Sequence, residues 1–306
     1  MSKRHQRPRG RNVNGILLLN KPGGITSNEA LQIVKRLFRA RKAGHTGSLD
    51  KMATGLLLVC FGEATKFSAF LLNADKQYRA SCQLGIETAT GDALGDTVKE
   101  LPVPVLTTKQ IEKALQQFRG AIEQIPPMYS ALKHKGRRLY ELAYQGIEVE
   151  RQVRTVIIHH LELLGYEDAV IELSITCSKG TYIRTLAEDI GRQLGCGAHV
   201  CALRRTGVGP FNEEQMLSLP DLEELAKAGL NVLDEKLLAI DTALQDMPHV
   251  ELEESIACYL CDGQPVVVPH APTRGMLRIY SEQHDFLGVG EVLDDGRVAP
   301  KRLVST

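Results

Sequence analysis

The 306-residue chain contains no apolar stretch approaching the ~20 residues a bilayer span requires. Its longest run, Gly55-Leu56-Leu57-Leu58-Val59-Cys60-Phe61-Gly62, reads as a buried strand. The N-terminus is basic but lacks the apolar segment of a secretory signal, so a cytoplasmic protein is the expectation. A disulfide framework is missing too, because the seven cysteines are odd in number and widely scattered. Familiar metal spacing is absent: Cys258-Tyr259-Leu260-Cys261 has no second pair, and Cys196, His199 and Cys201 crowd too closely for a ligand knuckle, so no metal is expected. No phosphate-cradling loop ending in Gly-Lys-Ser/Thr occurs, nor any internal repeat or low-complexity tract.

Net charge is also lacking, with 37 basic and 37 acidic residues, but the balance hides a gradient. Residues 1–211 carry 30 Lys/Arg against 19 Asp/Glu, residues 212–246 carry 2 against 9, and residues 247–306 carry 5 against 9. A positive body of this size suits a polyanion, although a merely basic surface would look the same. Residues 1–14 hold five Lys/Arg and no acid, and read as a mobile arm able to touch phosphates or as a plain solubilising tail.

Periodicity and punctuation predict a mixed α+β body. A strand is expected over 15–20, with Lys21-Pro22-Gly23-Gly24 as a turn. Thr26 with Glu29 has capping-box spacing and opens a helix to about residue 38, facing inward with Ala30, Ile33, Val34 and Leu37. Strands at 56–61 and 76–84 flank a helix expected near 64–72. Thr107 with Gln110 begins another helix, which Gly120 should stop. Residues 150–177 suggest two strands joined near 165–168. A helix over 181–194 and a strand near 199–205 follow. Residues 213–246 look acidic and helical, with Leu222, Leu225, Leu230, Leu233, Leu237 and Leu238 on the buried face. Beyond Met247-Pro248, short strands at 265–268, 275–280, 286–292 and 297–299 suggest a small all-β module. The expected division is an arm (1–14), a main domain (15–247) and this module (248–306).

Three stretches carry the chemistry. Ala43-Gly44-His45-Thr46-Gly47-Ser48-Leu49-Asp50-Lys51-Met52-Ala53-Thr54-Gly55 places a lone carboxylate among three glycines, implying tight turns or close approach of a ligand. On residue types alone Asp50 could equally be a helix cap. Ser178-Lys179-Gly180-Thr181-Tyr182-Ile183-Arg184 joins a strand to a helix start and offers an aromatic ring and a guanidinium able to pair with a carboxylate. Asp75-Lys76-Gln77-Tyr78-Arg79 brings a second aromatic flanked by bases. Taken singly, these are also compatible with an ordinary edge tyrosine and a surface arginine.

Together the stretches resemble the pseudouridine synthases of the TruB family. Gly47-Ser48-Leu49-Asp50 with Ala53-Thr54-Gly55 resembles the signature loop. Asn20-Lys21-Pro22, the Asp75–Arg79 stretch, Pro126-Pro127-Met128-Tyr129-Ser130-Ala131-Leu132-Lys133, Cys177–Arg184, and Gly195-Cys196-Gly197-Ala198-His199-Val200 with Leu203-Arg204-Arg205 match in order. The likeness is dense over about residues 12–211. At the end of the chain, Gly288-Val289-Gly290-Glu291 and Arg297-Val298-Ala299-Pro300 resemble the family's small RNA-binding PUA-type barrel. One departure is Lys51, where the family usually has proline; a cation there could favour an ionised Asp50.

The resemblance implies an α+β pseudouridine synthase fold with a large, mainly antiparallel sheet and the small barrel behind it. It also implies an isomerase that turns a uridine of the tRNA T loop (position 55) into pseudouridine, working as a monomer without cofactor, guide RNA or membrane. Breaking a glycosidic bond and rejoining the base through carbon calls for a nucleophile that can leave again. The resemblance gives that role to Asp50, with attack at the sugar, attack at the base and assisted elimination all open. Tyr78 would stack on the flipped base and could accept a proton at the sugar. Tyr182 and Leu203 would line the pocket, and Arg184 would keep Asp50 a carboxylate. His45 would fill the gap in the RNA, and Lys21 would support the pocket or the phosphates. Rivals are a non-catalytic RNA-binding or tRNA-folding protein on the same fold, a guide-RNA-dependent synthase, and a glycoside-type hydrolase. The last needs a second carboxylate near Asp50; Asp75 and Glu188 are the nearest by motif, and both read better as structural.

Overall fold

The computed structural model of the chain describes residues 10–305. Residues 1–9, most of the expected arm, lie outside the described residues. Residues 10–14 correct the remainder, because they are pinned rather than loose. Arg11 bonds the main chain at Arg39 and Arg41 (2.9 Å each), its guanidinium grips the Asp234 carboxylate (2.7 Å), and Val13 is buried. Arg11 is therefore committed to an acidic side chain rather than free for a phosphate.

A ten-stranded sheet forms the body. From one edge its order runs Leu217–Ser218, Gly15–Lys21, Thr54–Phe61, Ala198–Val208, Lys76–Leu84, Val170–Cys177, Arg154–Glu167 and Gly120–Gln124, with Ala43–His45 pairing Thr54–Phe61 and Phe211–Asn212 pairing Ala198–Val208 off this path. Along this path neighbours are antiparallel except Leu217–Ser218 with Gly15–Lys21 and Ala198–Val208 with Thr54–Phe61. The central strands are covered on both faces, which is why they read as unbroken apolar runs. Leu17, Leu19, Leu57, Val59 and Phe61 join one core, and Ile16, Leu18, Leu56, Leu58 and Cys60 join another on the opposite face.

The capping boxes form as the spacing requires. Thr26 and Glu29 open the helix Ser27–Leu37, and Thr107 and Gln110 open Thr108–Leu115. Asp168 and Ala169, both at positive φ, make the tight turn between Arg154–Glu167 and Val170–Cys177. The stretch expected as one acidic helical run breaks up. Gly229, at φ 138°, separates Leu219–Ala228 from Leu230–Asp234, and Leu238 leaves the helical face to bridge Ile16.

The C-terminal part forms its own sheet, His249–Leu252, Gly275–Ser281, Phe286–Val292 and Val298–Leu303, in that order. It is not all-β. Residues Glu254–Cys261 form a helix that buries Ala257 and Leu260 against Val250, Leu277 and Ile279, leaving Cys258 and Cys261 exposed. Two turns of apolar residues carry too little periodicity to separate helix from strand. Of the strand expected at 265–268, Val266 makes an isolated bridge to Val298. Phe67 and Phe286, with ring centroids 5.5 Å apart, join this sheet to the body, as do bonds from Tyr280 to Asp241 (2.7 Å) and from the Ser305 N–H to Glu63 (2.7 Å).

Candidate active site

The glycine-rich loop leaves the strand Ala43–His45 and returns into Thr54–Phe61. Its main chain is tied down on either side of Asp50. The Ser27 hydroxyl accepts from the Leu49 N–H (2.8 Å) and donates to the Leu49 carbonyl (3.1 Å). The Gly24 N–H bonds the Lys51 carbonyl (2.9 Å), and the Ala53 N–H bonds that of Asp50 (3.1 Å). Gly55 is required where the loop rejoins the sheet: its φ is +95°, and a Cβ there would lie 2.3 Å from the Arg205 carbonyl oxygen.

Arg184 sits in the first turn of the helix Ile183–Gln193. Its Nε meets Asp50 Oδ2 at 2.8 Å and its Nη2 meets Oδ1 at 3.2 Å, a two-point contact across 134 residues of sequence. The remaining donors go to the carbonyls of Thr90 (2.7 Å) and Tyr129 (2.8 Å). The Asp92 carboxylate lies 3.9 Å from Nε on the buried side, and itself accepts from the Thr90 hydroxyl (2.6 Å) and the Leu94 N–H (3.0 Å). The guanidinium side chain is 5% exposed, whereas that of Asp50 is 38% exposed. Burial drives the Asp50 carboxyl above the ordinary range; Arg184 opposes this, Asp92 adds to it, and Lys21 opposes it. Lys51, the departure from the family pattern, is exposed.

The other expected residues gather unevenly around this pair. Tyr78, on the strand Lys76–Leu84, sits opposite Arg205 and Ile175. Burial raises its phenol above 10.0 although Arg205 pulls it down, so it holds its proton at neutral pH. Burial likewise raises Tyr182, and the Asp50 charge reaches both phenols. Leu203 is buried, and the Thr54 hydroxyl donates to its carbonyl (3.5 Å). His45 is paired across strands with Val59; burial and then Arg205 lower its pKa, leaving a neutral ring. Lys21 is fully buried, and burial pushes its ammonium down to about 8. It donates to the carbonyls of Pro22 and Ile25 (2.8 Å each), and the Lys51 carbonyl lies 3.5 Å away. The Lys21 ammonium is thus enclosed by main-chain carbonyls next to the Asp50 loop.

Three structural roles go beyond what the motifs indicate. Asp92 lies in a turn with no local mark of burial. Arg205, 1% exposed, donates to the carbonyls of Leu56 (2.7 Å) and Gly47 (3.1 Å) and so braces the Asp50 loop from below. Residues 125–151 form a finger: a hairpin of Lys133–His134 and Arg137–Arg138 turning at Lys135 and Gly136, then a short helix, Leu139–Ala143. Lys133, Lys135, Arg137 and Arg138 are exposed, and Tyr144 packs edge-on to Tyr129.

The motif candidates for a second carboxylate take structural places. Asp75 pairs with His159 at the surface (3.2 Å), and Glu188 lies on the Arg184 helix beside Gly91. His199 Nδ1 meets the Ile86 carbonyl (3.0 Å), and the Cys201 thiol donates to the Ser81 carbonyl (3.2 Å). Among the described residues no helix is long and apolar enough to cross a membrane.

The chain matches the family model described as TruB family pseudouridylate synthase (N terminal domain) over residues 35–183. Models of TruB C-terminal regions match residues 184–245 and 248–304. A curated relative from Coxiella burnetii (strain Dugway 5J108-111), named tRNA pseudouridine synthase B, is 56% identical over 295 residues, 96% of each chain. One of the same name from Nitrosococcus oceani is 53% identical over 302 residues, 99% of this chain and 98% of its own. The chain belongs to the TruB family of pseudouridine synthases. Among solved structures, a chain of a Cbf5-Nop10-Gar1 complex aligns with a TM-score of 0.74 at 27% identity, covering 94% of this chain and 84% of its own. One in an H/ACA RNP bound to a substrate RNA containing 2'-deoxyuridine has a TM-score of 0.74 at 23% identity, over 98% and 91%, and shares the fold. The TruB assignment makes the protein an isomerase.

Proposed function

We propose that this synthase converts the T-loop uridine of tRNA, position 55, to pseudouridine, with Asp50 as nucleophile. It acts on bare tRNA as a monomer in the cytoplasm, without guide RNA or cofactor. The observation that carries the reading is the Asp50–Arg184 contact, in which the cation is buried and the carboxylate faces outward. The names of relatives at 51–56% identity support tRNA as the substrate.

The target base leaves its stack at a cost of a few kcal/mol. Tyr78 returns part of that by stacking, at ~1–3 kcal/mol per base, while Tyr182 lines the pocket. His45, neutral and half-buried, fills the space left in the loop. The Asp50 carboxylate adds covalently, the N1–C1′ bond breaks, the base turns, and C5 bonds C1′ as Asp50 departs. The C5 proton goes to solvent and N1 gains one, so atoms and charge balance with no redox partner. Arg184 holds the carboxylate in line and Leu203 closes the apolar wall. The exposed basic finger and Arg36, Arg39, Arg41 and Lys42 at the end of the first helix meet phosphates.

Incubating the pure protein with tRNA tritiated at uracil carbon-5 tests the reading. Stoichiometric tritium release without free uracil is the expected result. Free uracil would point to hydrolysis, and binding without release to a non-catalytic RNA-binding protein.

A further inference from the structure

Gln124 is the last residue of the edge strand Gly120–Gln124, before Ile125-Pro126-Pro127. Two prolines lack N–H donors, so the ladder ends there and the finger begins. The Gln124 side chain is 3% exposed, and it turns to a residue 58 positions away. Its Oε1 accepts from the Tyr182 N–H (3.0 Å) and its Nε2 donates to the Tyr182 carbonyl (3.2 Å). The primary amide thus bonds both main-chain groups of one residue, sharing the carbonyl with the Leu186 N–H (3.1 Å). Tyr182 caps the helix bearing Arg184, and no side chain caps that helix in turn.

A second bond from the finger root reaches the same place, since the Tyr129 carbonyl accepts from Arg184 Nη2 (2.8 Å). Arg151 closes the base of the finger on the Pro126 carbonyl (3.3 Å). Beyond these bonds a hollow of about 660 Å³ separates finger from helix, lined by Ile125, Pro127 and Ile147 on one side and Thr185 and Glu188 on the other. The finger root therefore grips the helix start at Tyr182 and Arg184.

We propose that Gln124 is a positioning residue: its amide fixes the Tyr182 peptide, and through it the aromatic wall and the Arg184–Asp50 geometry, so it acts on the chemical step rather than on tRNA affinity. The proposal rests on the site reading above.

The test compares wild type, Q124A and Q124E by single-turnover tritium release, tRNA binding and far-UV circular dichroism, across about pH 6 to about pH 8.5. An ångström of misplacement is sufficient to slow Q124A by roughly 30-fold at saturating tRNA. The dissociation constant for tRNA should stay within about threefold of wild type. In Q124E an ionised carboxylate faces the Tyr182 carbonyl, whereas the protonated form restores both bonds. Its rate relative to wild type should climb as pH falls, while the Q124A ratio stays flat. That ratio cancels the titration of Asp50.

A Q124A rate within about twofold of wild type overturns the proposal, as does a loss matched by weaker tRNA binding or a smaller folded fraction. A flat Q124E ratio does the same, and if Q124A fails to fold the Q124E series decides alone. No release by wild type would instead remove the reading on which the proposal stands.

Discussion

Asp50 and Arg184 meet through two contacts, 2.8 and 3.2 Å, yet the guanidinium is 5% exposed and the carboxylate 38%. The protein buries the cation, pairs two of its other donors with the Thr90 and Tyr129 carbonyls, and leaves the anion partly exposed. A lysine could supply the charge but not this fork. R184K should therefore lose roughly 100-fold in the single-turnover rate, with tRNA affinity little changed. R184M also leaves Asp92 buried without its cation and should cost ~3 kcal/mol of stability, read as a lowered Tm.

The pH profile follows from the raised Asp50 carboxyl. The reaction needs the ionised form, so the rate should rise with pH through a midpoint above the ordinary 3.8. Here the folded-state pKa exceeds the unfolded one, so the native state binds the proton more tightly. The stabilisation is present below 3.8 and is lost as pH rises from there through the folded-state value. D50N carries no such charge. Its melting temperature relative to wild type should therefore rise as pH increases from below 3.8 to neutrality.

Gly55 and Gly296 make a matched comparison. Both have positive φ, +95° and +82°, but a Cβ at Gly55 meets the Arg205 carbonyl at 2.3 Å, while at Gly296 nothing lies within 4 Å. G296A should cost ~1 kcal/mol, the strain of the backbone alone. G55A should cost ~3 kcal/mol or more and reduce the rate, because the displaced strand carries the Asp50 loop. Denaturant unfolding beside single-turnover kinetics checks both.

Phosphate contacts by the finger predict a steep fall of tRNA affinity with salt. Replacing Lys133 and Lys135 by Gln should weaken binding and reduce the log–log salt slope by about two units if each meets a phosphate. Filter binding over a salt series measures this, and an unchanged slope would place the RNA elsewhere.

What the sequence disclosed was mostly local. Thr26 with Glu29 and Thr107 with Gln110 were readable because a cap and its partner lie three residues apart. The doubly covered strands were readable because burial on both faces leaves unbroken apolar runs such as Leu56–Phe61. Asp50, Tyr78, Tyr182 and Arg184 stood out through the motif resemblance rather than through any property of each residue alone. What stayed hidden depends on distant partners: the Gln124 amide on Tyr182, Asp92 behind Arg184, and Arg205 under Gly47. The burial of Lys21 was hidden as well, since a lysine beside a Pro-Gly turn ordinarily faces water. The helix Glu254–Cys261 was lost because eight largely apolar residues have no clear period.

The central claim is that the Asp50 carboxylate performs the isomerisation. Mass-spectrometric mapping of pseudouridine on unmodified tRNA, treated with pure wild-type protein or D50N and nothing else added, tests it directly. The account predicts pseudouridine at one T-loop position with wild type and none with D50N, while D50N still binds the tRNA. Pseudouridine formed by D50N at the wild-type rate would contradict it.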